Sequence, residues 1–111
     1  MQYMMFVATD TEPDDSDTPE PDVQAWVDEL DAKGIRIRGE RLRPAEEGKT
    51  VRVRRGELLV TDGPFTEAKE WIAGYDILEC DSLEQAIEVA SRHPMARAGR
   101  IEVRAFWPFE G

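Results

Sequence analysis

The first eight residues, Met1-Gln2-Tyr3-Met4-Met5-Phe6-Val7-Ala8, constrain the fold more than any other segment. Residues 2–8 read as a β-strand, in which successive side chains point to opposite faces. Tyr3, Met5 and Val7 then face one way, and Met4, Phe6 and Ala8 face the other. Both sets are apolar, so both faces of the surrounding sheet need a cover. Helices of the same chain can supply one. The chain has 111 residues, the usual size of one domain, and has little left for the second. A second copy of the chain would supply it, so the strand predicts a homodimer of a single domain spanning 1–111.

Composition removes several classes of function. The formal charge is −10, which opposes nucleic acid and anionic membrane surfaces, because both need a positive field. No stretch approaches the ~20 apolar residues of a membrane span. The apolar opening is short and has no basic flank, so it does not read as a signal peptide. One cysteine, Cys80, leaves no internal disulfide framework, and a reducing cytoplasm is the expected compartment. One histidine and one cysteine do not make a zinc or iron cluster, so no metal and no other cofactor is expected.

The charge is uneven. Residues 10–22 hold seven acids and no base, while residues 36–55 hold eight of the fourteen bases. Such runs read either as a solvated acidic loop beside wet arginine-bearing strands, or as a basic groove for a small anionic molecule.

A helix is predicted over about 20–33, where Val23, Trp26, Val27 and Leu30 repeat at helical spacing and Gly34 follows Lys33 as a cap. Ile35–Arg38 reads as a strand. Thr50–Arg54 and Glu57–Thr61 form a hairpin turned at Arg55-Gly56. Asp62-Gly63-Pro64-Phe65 breaks the strand, and residues 71–80 form another. A second helix starts after Asp81, with Asp81 and Glu84 at capping-box spacing and Leu83, Ala86, Ile87 and Ala90 as its apolar stripe. Residues 100–107 close the chain as a strand. The order β-α-β, inserted hairpin, β-α-β is an α+β, ferredoxin-like plan.

Val60-Thr61-Asp62-Gly63-Pro64-Phe65-Thr66-Glu67-Ala68-Lys69-Glu70 resembles the YCII-related family, in its DGPF-bearing branch. Tyr3-Met4-Met5, Gly39-Glu40-Arg41-Leu42-Arg43-Pro44, Gly74-Tyr75, Asp81-Ser82-Leu83-Glu84-Gln85-Ala86 and Ile101-Glu102-Val103-Arg104 support it, over nearly the whole chain. The resemblance implies a dimeric α/β barrel made of two face-to-face sheets. It implies no settled activity. Some relatives are encoded near, or fused with, extracytoplasmic-function sigma factors, which makes a sigma factor a partner to consider. Others have a proposed His/Asp pair. The one histidine here, His93, is far along the chain from any matching position, so no His-dependent mechanism is carried over.

The chemistry left is carboxylate chemistry near the hairpin. Glu40, Asp62, Glu67 and Lys69 are candidates to line one cleft with Tyr3, Arg52, Phe65, Trp71 and Tyr75. An aromatic-walled cleft with few polar groups suits a small molecule. The plainer account of each is structural: Asp62 caps a turn, Phe65 fills core, Lys69 pairs with an acid, and His93 ends a helix. Three classes therefore stay open: a binding or interaction module, a metal-free enzyme acting on a small organic acid, and a structural homodimer.

Overall fold

The computed structural model describes residues 1–16, 22–63 and 72–108. Within them run β1 (Gln2–Thr9), α1 (Val23–Ala32), β2 (Arg36–Arg41), a 3-10 turn (Ala45–Glu47), β3 (Lys49–Arg54), β4 (Glu57–Asp62), β5 (Ile72–Glu79), α2 (Leu83–Ser91), α3 (Met95–Ala98) and β6 (Gly99–Ala105). The chain is α+β. Four strands form an antiparallel sheet in the order β2-β5-β1-β6, and β3 and β4 form a separate two-stranded sheet. Each helical crossover thus spans one intervening strand, an arrangement compatible with the ferredoxin-like plan. No described helix is long and apolar enough to cross a membrane.

The core lies on one face of the four-stranded sheet. Tyr3, Met5 and Val7 of β1 and Leu78 of β5 meet Trp26 and Leu30 of α1 and Ala86, Val89 and Ala90 of α2. Burying each large side chain contributes about 2 kcal/mol. The Trp26 indole Nε1–H donates to the Val89 carbonyl at 3.0 Å, which ties α1 to α2. On the opposite face Met4, Phe6, Tyr75 and Ile77 are half-buried, and no helix packs there among the described residues.

Helix ends follow local chemistry. Asp22 caps α1 by accepting from the Gln24 N–H at 2.9 Å. Gly34, at φ 69°, leaves the helix in a conformation that favours glycine. The predicted first-turn Pro21 lies outside the described residues. The α2 cap is one residue later than predicted: Ser82 Oγ accepts from the Gln85 N–H at 3.1 Å, and Gln85 Oε1 accepts from the Asp81 N–H. The stripe is also turned. Ala86, Val89 and Ala90 are buried, whereas Leu83 and Ile87 are exposed. Two apolar stripes overlap on this helix, and the one that meets Trp26 became the inner one.

Candidate functional site

The site begins with an irregular pairing. Between Arg36 and Arg38 the β2–β5 register shifts, and Ile37 is turned out, half exposed to solvent. Arg36 and Gly39 pair with Leu78 and Asp76, which are buried on the helix-facing side. There Arg36 Nε donates to Asp76 Oδ1 at 2.8 Å, Nη2 to the Gly39 carbonyl at 3.2 Å, and Nη1 to Asp31 Oδ1 at 3.3 Å. The two paired side chains keep only 17% and 9% of their surface. Gly39 makes this possible: a Cβ there would lie 1.9 Å from Asp76 Oδ1 and 2.7 Å from Arg36 Nη2. Gly74 has a like role, since a Cβ would come within 2.9 Å of the Glu40 carbonyl. Glycine inside a strand often marks such a close approach.

Burial pushes the Asp76 carboxyl above its ordinary range, against the pull of the Arg36 guanidinium; the Asp31 charge adds a smaller push upward. Burial also works against the Arg36 charge, but hydrogen bonds to Asp76 and Asp31 outweigh it, and the guanidinium is held more firmly protonated. The pair faces a cavity of about 410 Å³, walled by Val23, Trp26, Val27 and Met95 and reached by His93.

His93 follows the Arg92 cap of α2. Its ring centroid lies 4.8 Å from that of Trp26, edge to face. The Met95 N–H donates to His93 Nδ1 at 3.0 Å, so the neutral ring carries its proton on Nε2. Burial lowers the His93 pKa and favours that neutral form. His93 thus stands just past the helix end as expected, but as a buried neutral ring. The sequence kept His93 away from any acid; the fold brings it to the same cavity as Asp76.

Of the predicted cleft, Tyr3, Glu40, Arg52, Asp62 and Tyr75 are among the described residues. Glu40 and Tyr75 are cross-strand partners and both border the cavity. Tyr3 is buried in the core. Arg52 lies on the hairpin opposite Leu59, and Asp62 at the hairpin base, its side chain 85% exposed and paired with Lys49. The Lys49 ammonium holds the Asp62 carboxyl below its usual range. The Gly63 N–H donates to the Gly48 carbonyl at 2.8 Å, and the rest of the expected Asp62 turn lies outside the described residues. Phe65, Glu67, Lys69 and Trp71 lie outside the described residues. Arg36, Asp76 and His93 were missed, and the one signal for them was glycine at 39 and 74, within strand-like segments.

Residues 10–16 of the acidic segment are anchored. Arg97 Nε donates to Asp14 Oδ2 at 2.9 Å and Arg100 Nε to Asp10 Oδ2 at 3.0 Å, while the Asp14 N–H donates to the Arg97 carbonyl. Bonds from the Ser16 backbone N–H and Arg97 hold the Asp14 carboxyl below its usual range. Two arginines near the chain end thus fix a segment that the composition described as solvated.

A family model described as YCII-related domain matches residues 1–110. Over 66 residues the chain is 42% identical to an uncharacterized protein of Rhizobium meliloti (strain 1021), a match covering 58% of this chain and 53% of that one. The chain thus spans about half the length of the curated relative it matches.

Proposed function

The chain belongs to the YCII-related family, and from that premise we propose a homodimeric binding module that takes a small organic acid into the cavity beside Arg36, Asp76 and His93. The observation that carries this is the buried Arg36–Asp76 pair, held over Gly39 at the wall of a cavity that Val23, Trp26 and Met95 also line. A cavity of about 410 Å³ lies in the usual range for small-molecule sites. A guanidinium has five N–H donors, and three bonds use Nε, one Nη1 and one Nη2 hydrogen. The remaining Nη hydrogens and the His93 Nε2–H would receive a ligand carboxylate, and the Trp26 and Met95 walls its apolar body.

The dimer rests on the half-buried Met4, Phe6, Tyr75 and Ile77 face, which a second sheet would cover to make the barrel. A second reading, proton transfer on the same acid, is favoured by one observation: a carboxyl pushed up by burial and a neutral imidazole share one cavity. Asp76 would then move the proton.

The test follows the Trp26 indole N–H by NMR while small carboxylic acids of graded size are added. Saturable shifts at that resonance are expected, with affinity about tenfold or more weaker in Arg36→Gln. Shifts that are equal in the variant, or absent for every acid, refute the binding site. Deuterium exchange into a bound acid's α-carbon would mark the enzyme reading. Sedimentation at micromolar concentration tests the dimer, which a clean folded monomer would defeat.

A further inference from the structure

The β3–β4 hairpin is a separate sheet whose two faces differ. Val51 pairs with Val60 and Val53 with Leu58, and paired residues share a face. That face is aliphatic, yet its four side chains are 53% to 63% exposed. Thr50, Thr61, Arg52, Arg54 and Glu57 accompany Leu59 on the other. A polar face would be the natural one to leave in water. The hairpin is also well built. Arg55 and Gly56 take φ values of 53° and 75°, as a two-residue hairpin turn requires. Its base is closed by the Lys49–Asp62 pair, by Thr50 Oγ1 donating to the Gly63 carbonyl at 2.7 Å, and by the Gly63–Gly48 bond.

Two further quantities point to what covers it. The chain exposes 8312 Å², against roughly 6,200 Å² for a compact monomer of its mass. The excess, on the order of 2,000 Å², is larger than the ~800 Å² each partner buries in a standard interface. Its radius of gyration is 16.3 Å, against about 13 Å for a compact domain of this length. Charge then selects the partner surface. Residues 49–62 hold four bases and two acids, while the rest of the chain holds ten bases and twenty-two acids. The hairpin as a whole is thus attracted at long range to the body of another copy and repelled by another hairpin.

We propose that the β3–β4 hairpin is an arm that lays Val51, Val53, Leu58 and Val60 on the acidic body of a second copy. This rests on the dimer reading above and assigns to the arm a contact distinct from the sheet face. The double substitution Val53→Thr with Leu58→Thr tests it. Threonine retains the branched shape that strands favour and adds no charge, so the hairpin persists while its apolar contact weakens.

Sedimentation should show a wild-type dimer and, in the variant, a dissociation constant raised by on the order of a hundredfold. A wild-type dimer with an unchanged constant in the variant overturns the arm and leaves the sheet dimer standing. A wild-type monomer overturns both. An independent measurement uses the unmodified sequence in mixed-label samples. Isotope-filtered contacts should link the Val53 and Leu58 methyls to the other copy, and their absence in a proven dimer also overturns the arm.

Discussion

Arg36 Nε and Asp76 Oδ1 lie 2.8 Å apart across β2 and β5, nearly out of water and forty residues apart in the chain. The pair fixes the wall of the candidate cavity and ties its edge strand to the sheet.

Removing the acid leaves a guanidinium with a lost partner in a dry place. Asp76→Ala should destabilise the fold by about 3 kcal/mol. Asp76→Asn keeps an acceptor and should cost about 1 kcal/mol. Chemical denaturation of both variants checks the order, and equal losses would show that the charge, which both variants lack, matters and the retained acceptor does not.

The pH dependence has a definite sign. Asp76 is pushed above its ordinary value of 3.8, so the folded state holds this proton more tightly than the unfolded chain. Its contribution is full below that value and is lost as pH rises through the folded pKa. The deficit of Asp76→Asn should therefore be larger in acid than near neutrality. His93 runs the other way: its pKa is lowered from 6.5, and its contribution, full above 6.5, is lost as pH falls through the folded pKa. Melts of wild type and Asp76→Asn across this range should converge with rising pH; divergence counts against the burial account of Asp76.

Gly39→Ala should be damaging although alanine is the smallest change available. Its Cβ would meet Asp76 Oδ1 at 1.9 Å, so the ion pair must move. A loss of about 2–3 kcal/mol is expected. Gly48→Ala, whose Cβ would meet only the Ala45 carbonyl at 3.3 Å, is the control and should cost far less. Comparable melting temperatures for the two would show that the pair shifts freely.

His93→Ala should cost about 2 kcal/mol, from the lost Trp26 contact and the unpaired Met95 N–H. It should also weaken carboxylate binding. From the sequence alone the expectation was near neutrality, because the ring read as a helix end. His93→Gln tests the difference: partial rescue of binding without full recovery of stability marks a donor role at the cavity.

Arg55 adopts φ 53° in the hairpin turn, where a residue with a Cβ is strained and asparagine is favoured. Arg55→Asn should stabilise the hairpin by roughly 0.5 kcal/mol. Slower amide exchange in β3 and β4 would report it, and faster exchange would show that Arg55 holds a contact stronger than its strain.

What the sequence decided was local. Alternation made β1 a strand with two apolar faces, Arg55-Gly56 made a two-residue turn, and Trp26, Leu30 and Gly34 set the inner face and end of α1. These follow from steric limits and periodicities that act over a few residues. The tertiary structure decided which of two overlapping stripes on α2 faces inward, burying Val89 and exposing Ile87. It also brought Arg36, Asp76 and His93 to one cavity and placed Arg52 and Asp62 on the β3–β4 hairpin, outside the cavity lining. Those outcomes depend on packing and on charges far apart in the chain. Desolvation and pairing act only after the strands have aligned, so no local pattern encodes them.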